Sequence, residues 1–276
     1  MLVRVGSRGS RLALTQAELA ACRLRGRGIE IALVPITTAG DKDRTRPFGQ
    51  IGTRGVFVKE LEEALLAGRI DVAVHSAKDM TSEDTEGLSV GAYVEREDPR
   101  DALCGADRLW SGMRVGTASV RRRAQLLALE PGLSVEPLRG NIDTRLRKRG
   151  ERRLDAVVLA ACGLERLGLA SEIGRRFEPD ELLPEAGQGA LALQVRAGEE
   201  EVAAAADHAE TRRRVSAERA CVAAIGGGCL APAAAFHDGE RLTALLADED
   251  GRWLVRRVGD DPGGVAAELL AAVPAA

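Results

Sequence analysis

Short apolar runs alternate with amphipathic stretches along most of this chain, and loops rich in Gly, Ser, Thr and Arg separate them. Residues 2–5 read as a strand, 6–10 as a loop and 11–23 as a helix with Leu12, Leu14, Leu19 and Leu24 as its apolar positions. Residues 29–36 follow as a strand. Residues 56–66 form a helix with Phe57, Leu61 and Leu65 spaced by four on one face. The strand 70–74 then carries residues 75–79 at its carboxyl end. A charged, proline-containing run at 95–100 breaks the pattern, as a crossover between domains would. The pattern restarts with strand 114–116, cap 117–119 and helix 120–129. Strand 135–138, loop 139–141 and helix 142–148 come next, then strand 155–159 and helix 161–167. Residues 183–189 read as a second crossover. From about residue 211 the texture changes to one helix, three short strands and a final helix over 264–272. Strands alternating with helices predict mostly parallel sheets. Such sheets bind ligands outside the carboxyl ends of their strands.

A length of 276 residues suffices for two or three domains. The formal net charge of −3 and an aromatic content of 3% argue against a nucleic-acid binder. Lys42, Lys59, Lys78 and Lys148 are the only lysines, which leaves 35 arginines among 39 basic residues. Arginine binds carboxylates bidentately and keeps its charge when buried. The five cysteines, Cys22, Cys104, Cys162, Cys221 and Cys229, contain no CxxC pair. Neither a metal site nor a disulfide framework is expected. No apolar run reaches membrane-spanning length and no signal peptide is recognisable, so the expectation is a cytoplasmic chain with reduced thiols.

The chemistry concentrates in a few motifs. Cys229 lies in Gly226-Gly227-Gly228-Cys229-Leu230-Ala231-Pro232, where glycines leave room around the sulfur. Such a thiol is a candidate nucleophile, ligand or covalent anchor. Gly6-Ser7-Arg8-Gly9-Ser10 leads into a helix whose start favours an anion, while Ser10 also suits a plain N-cap. Lys78 and Asp79 end the run His75-Ser76-Ala77-Lys78-Asp79, and His75 reads as a packed histidine. Gly116-Thr117-Ala118-Ser119-Val120-Arg121-Arg122-Arg123 puts cations in a helix's first turn, against its dipole, and so points to a bound anion. Leu138-Arg139-Gly140-Asn141-Ile142-Asp143-Thr144-Arg145 repeats that grammar, and Arg166 stands near the end of its helix.

Taken in order, these motifs resemble the porphobilinogen deaminase family. The resemblance runs from about Leu2 to the end. It is strongest in Gly52-Thr53-Arg54-Gly55-Val56-Phe57-Val58-Lys59-Glu60-Leu61-Glu62, Val74 to Asp79, Glu95 to Asp101, Leu138 to Arg145, Gly187-Gln188-Gly189-Ala190 and Gly227-Gly228-Cys229. Departures are Arg54 for a common Lys, Arg11 for Pro, Ala118 for Ser and Met80-Thr81-Ser82 after the Lys-Asp pair.

The resemblance implies an α/β protein with two type II periplasmic-binding-like domains and a small α+β C-terminal domain. Their spans would be 1–94 with 190–208, 95–189, and 209–276. It implies a transferase, hydroxymethylbilane synthase, that joins four porphobilinogen molecules head-to-tail with loss of ammonia and then releases the linear tetrapyrrole by hydrolysis. One dipyrromethane cofactor per chain would be thioether-linked to Cys229. Asp79 would be the catalytic carboxylate. Lys78, Asp79, Ser119, Arg121, Arg122 and Arg145 would bind the cofactor. Arg8, Ser10, Gln16, Asp41, Arg139 and Arg166 would bind porphobilinogen and the growing polypyrrole. Residues 42–55 would form a lid. No metal, nucleic acid or membrane partner is implied, and a monomer is expected. The alternative is a non-enzymatic small-anion binding protein of the periplasmic type.

Overall fold

The computed structural model describes residues 2–25, 29–37, 58–80, 85–226 and 232–274. The chain divides into two compact units, residues 1–97 with 190–213 and residues 98–189 with 214–276.

The first unit is built on a mixed five-stranded sheet. Its strands are β1 (Leu2–Arg8), β2 (Glu30–Ile36), β3 (Val72–Ser76), β4 (Leu88–Tyr93) and β10 (Leu191–Arg196). The order is β2-β1-β3-β10-β4, with β10 antiparallel to both neighbours. Helix α1 (Arg11–Arg25) covers one face, where Val3, Val5, Val72, Val74, Leu191 and Leu193 meet Ala17, Ala20 and Leu24. Helix α2 (Lys59–Leu66) covers the other, where Leu61, Ala64 and Leu65 meet Ile70, Ala73 and Leu88. Burial on both faces explains the near-continuous apolar strands.

β1 is longer than its sequence suggests. It continues through Gly6, Ser7 and Arg8, which pair in register with Val34, Pro35 and Ile36, so the predicted loop contracts to Gly9 and Ser10. Gly6 is needed inside the strand, because a Cβ there would lie 2.3 Å from Ile70 Cδ1.

The second unit holds a sheet of the same order, β7-β6-β8-β5-β9. Its strands are β5 (Asp101–Cys104), β6 (Arg114–Gly116), β7 (Ser134–Glu136), β8 (Ala156–Ala160) and β9 (Ile173–Arg176). Here β5 is the antiparallel strand. Helices α3 (Val120–Leu129), α4 (Ile142–Glu151) and α5 (Ala161–Arg166) follow β6, β7 and β8. Helix α4 runs past the predicted residue 148, and Arg153 just beyond it sits at φ 54, a left-handed conformation.

After α6 (Ala209–Ala224) come β11 (Ala233–His237), β12 (Leu242–Ala247), β13 (Leu254–Gly259) and α7 (Pro262–Ala271). The three strands form an antiparallel meander. Alternation decides its two faces. Leu242 and Ala244 join Cys221, Val265, Ala266 and Leu269, while Ala234, Leu245 and Ala247 pack on Ala124 of α3 and on Leu183.

Candidate functional site

In the first unit the sequence order β1 to β2 runs one way along the sheet and β1 to β3 the other, so the topology reverses between β1 and β3. Crevices for ligands form at such a reversal, outside the carboxyl strand ends. Arg8 is the last residue of β1. Ser10 starts α1, with its Oγ accepting from the Ala13 N–H at 3.3 Å and its carbonyl from the Leu14 N–H at 2.9 Å, so it is an N-cap. Gln16 is buried on α1.

At the end of β3 the chain makes a short 3₁₀ turn, Ala77–Asp79. The Ala77 N–H donates to the Ala190 carbonyl at 3.0 Å and Ala77 is buried, whereas Lys78 is half-buried and Asp79 exposed. The turn therefore anchors on its small apolar residue and leaves Asp79 at the surface. Behind it, His75 is buried and shares a 3.0 Å hydrogen bond between Nε2 and Gln194 Oε1. Gln194 Nε2 donates to Glu62 Oε1 at 2.9 Å, which also accepts from Thr85 Oγ1 at 2.9 Å. With the Gln194 carbonyl oxygen turned to it, Nε2 of His75 carries the proton. Burial pushes the imidazole down to about 4, and the Gln194 contact opposes that only in part. His75 is a packed, neutral histidine.

In the second unit the same reversal lies between β6 and β8. Ser119 caps α3, its Oγ accepting from the Arg122 N–H at 3.4 Å. The sequence predicted an anion at this helix start, and the fold supplies one from its own chain. Arg121, Arg122 and Asp101 are all buried, with Asp101 wholly so. Arg121 Nη2 donates to Asp101 Oδ2 at 2.9 Å, and Arg122 donates to Oδ1 from Nη2 at 2.8 Å and from Nε at 3.1 Å. Burial alone would raise the Asp101 carboxyl, but the two guanidiniums hold it far below the usual carboxylate range. Among the described residues no second carboxylate forms an ion pair with either arginine, and Arg121 Nε is buried without an acceptor. Glu185 acts on Arg122 only through space, so two guanidiniums share one bonded carboxylate and one donor is left an orphan, which fits a ligand carboxylate.

Arg139 follows β7 and is half-buried, and its carbonyl accepts from Lys148 Nζ at 3.3 Å. Arg145, also half-buried, closes the first turn of α4, its N–H bonded to the Asn141 carbonyl at 2.9 Å. Arg166 donates from Nη2 to the Gly189 carbonyl at 2.7 Å, so it ties α5 to the second crossover.

Cys229, Asp41 and the expected lid at 42–55 lie outside the described residues. Of the described cysteines, Cys104, Cys162 and Cys221 are buried, and burial pushes the Cys104 and Cys221 thiols up to about 11, which leaves them poor nucleophiles. Among the described residues no group of His, Cys, Asp or Glu is arranged to hold a metal ion, and no helix is long and apolar enough to cross a membrane. Asp101 and Gln188 were not expected as site residues from the sequence. The signal for both was their place at the two crossovers, in Glu95 to Asp101 and in Gly187-Gln188-Gly189.

Two α/β units of one strand order, each with polar and basic residues past the carboxyl ends of its parallel strands, define a protein of the two-unit α/β class. Residues 3–204 match the family model described as "Porphobilinogen deaminase, dipyromethane cofactor binding domain". The porphobilinogen deaminase of Syntrophus aciditrophicus (strain SB) is 46% identical over 269 residues, covering 92% of this chain and 88% of that protein. That of Roseiflexus sp. (strain RS-1) is 45% identical over 282 residues, covering 96% and 93%. The chain belongs to the porphobilinogen deaminase family. Among solved structures, the methionine-binding protein MetQ aligns with a TM-score of 0.44 at 14% identity over 74% of this chain and 89% of that one, too weakly to carry weight.

Proposed function

We propose that this chain catalyses the family's reaction, the deaminative head-to-tail joining of porphobilinogen into hydroxymethylbilane. The observation that carries the reading is that Arg8, Ser10, Lys78, Asp79, Ser119, Arg121, Arg122, Arg139 and Arg145 lie at the carboxyl end of a parallel strand or in the loop or first helical turn that follows it, in a chain that belongs to this family.

Cys229 would hold dipyrromethane through its sulfur, and the group would supply a pyrrole with a free, nucleophilic α-carbon. Every ring of substrate and product carries an acetate and a propionate. A carboxylate and a guanidinium about 4 Å apart attract by roughly 4 kcal/mol at an effective dielectric near 20. Arg8, Arg139 and Arg166 clamp these carboxylates, with Ser10, Gln16 and Asp41 completing the substrate side. Lys78, Asp79, Ser119, Arg121, Arg122 and Arg145 hold the cofactor side, where the orphan Arg121 Nε–H awaits a carboxylate. Asp79, exposed on its short turn, steadies positive charge on pyrrole nitrogens and moves protons during loss of ammonia. Fixed clamps make each addition effectively intramolecular. The chain reads as three domains, the second unit combining a binding-protein-like domain with the C-terminal meander, and as a cytoplasmic monomer without nucleic-acid or membrane partners.

The test is mass and turnover together. Purified protein incubated with porphobilinogen should carry an adduct of two linked pyrrole units on the peptide containing Cys229, and should release ammonia and a linear tetrapyrrole. Cys229→Ser should do neither. An adduct on another cysteine would overturn the anchor. Binding of porphobilinogen without ammonia release would favour the non-enzymatic alternative.

A further inference from the structure

We infer that Asp101 is the positioning residue that aims both guanidiniums of the Arg121–Arg122 pair, with Gln188 holding Asp101 in place. The inference rests on the carboxylate-binding role proposed above for those arginines.

Asp101 opens β5, the antiparallel strand that follows directly on the first crossover. It pairs with Ala160, the last residue of β8, so the strand begins at the carboxyl edge of its parallel neighbours. That edge is where α3 starts. The backbone of Asp101 is locked there, its carbonyl accepting from the Phe177 N–H at 2.9 Å. The pairing fixes the point from which its side chain projects.

The carboxylate divides its oxygens between the arginines, Oδ2 to Arg121 and Oδ1 to Arg122. Each guanidinium is also held by a carbonyl on another side. Arg121 Nη1 donates to Leu183 O at 2.6 Å, and Arg122 Nη1 to Val158 O at 3.3 Å. Free arginine side chains lose up to about 2 kcal/mol of rotamer freedom when immobilised. Here that loss is incurred on folding, before any ligand arrives. Gln188, fully buried in the second crossover, bridges the assembly. Its Nε2 donates to Asp101 Oδ1 at 2.9 Å and to the Pro99 carbonyl at 2.7 Å in the first crossover. Asp101 is thus braced by both crossovers.

The same carboxylate sets the charge. Two guanidiniums bonded to one carboxylate, with Glu185 acting on Arg122 only through space, leave the pair with bonding capacity and positive charge for a ligand carboxylate. Asn at position 101 would keep the shape, release the aim and raise the excess charge. Asp101 spends its acceptors on protein donors, so it acts through the arginines and not on the reacting atoms.

The test uses full-length apo-protein of the parent, Asp101→Asn, Asp101→Glu and Gln188→Ala. Each is incubated with porphobilinogen, adduct formation is followed by intact mass, and the folded fraction is measured by circular dichroism. Per folded molecule, D101N should load at least about tenfold more slowly, the scale of a lost buried charge contact. D101E should recover part of that rate. Equal loading of parent and D101N per folded molecule overturns the proposal. If D101N does not fold, Q188A decides. It keeps both ion pairs while removing one donor from Asp101 and the 3.4 Å acceptor that Gln188 Oε1 offers Arg122 Nη2, so it should fold and load several-fold more slowly. Loading of Q188A at the parent rate then overturns the proposal. A parent that gains no adduct at all overturns the underlying cofactor reading, and this inference with it, and that outcome is distinct from a parent and variant that load alike.

Discussion

At the scale of single residues, the site separates side chains that must be wet from those that must be dry. Asp79 is exposed at the end of a turn whose neighbour Ala77 is buried. An exposed residue of this kind contributes little to stability, so Asp79→Asn should leave the melting temperature nearly unchanged while turnover falls by about 100-fold or more, the range of a lost acid–base group. Near-parental turnover in that variant would remove Asp79 from the chemistry. His75 behaves in the opposite way. Its imidazole is held at about 4, against an ordinary value near 6.5. Between those values the unfolded chain binds a proton that the folded chain does not, so stability falls as pH drops through this window. From pH 7 to pH 5 the loss from this one group is about 2 kcal/mol. Urea unfolding at both pH values should show that loss in the parent and much less of it in His75→Gln. Equal losses would mean His75 is not the titrating group.

At the scale of elements, helix α3 is gripped from its outer side by the hairpin between β12 and β13. Gly251 in that hairpin has φ 68, and a Cβ there would stand 2.4 Å from Ala124 O and 3.0 Å from Ala128 N. Arg123 Nη2 donates to Asp250 Oδ1 at 3.0 Å beside it. Gly251→Val should therefore push hairpin and helix apart and cost about 2 kcal/mol, visible as a lowered melting temperature. An unchanged melting temperature would show that the contact is dispensable. Helix α3 is also where sequence reading was sharpest, because Ser119 marks its start and its limits at 120 and 129 coincide with those found. The strands β4, β5, β9 and β10 were not resolved from sequence. They are short and owe their state to partners far away in the chain, as β10 does to Val74 and Ala92. The arginine cluster was half legible for a similar reason. Cations in a first turn show in the sequence, whereas the carboxylate that meets them comes from another strand and only folding brings it there.

At the scale of the whole molecule, the two five-stranded sheets share an order but are not assembled alike. All strands of the second sheet fall within residues 98–189, a continuous stretch. The first sheet needs β10, which enters between β3 and β4 only after the chain has passed through the second sheet and the second crossover. Residues 1–97 alone would hold β1, β2, β3 and β4 with the inner strand missing. They would lose Leu191, Leu193 and Val195 from the core they share with Val3, Val5, Val72 and Val74. Burying three such side chains contributes roughly 5–9 kcal/mol, comparable to the whole net stability of about 5–15 kcal/mol for a domain. β3 and β4 would also expose the polar edges that β10 now pairs. A purified 1–97 fragment should therefore show no cooperative thermal transition by circular dichroism and should aggregate on heating, whereas the full chain melts cooperatively. A fragment that melts as sharply as the full chain would show that β3 and β4 can close on each other, and that the crossovers connect units that are already complete instead of completing the first.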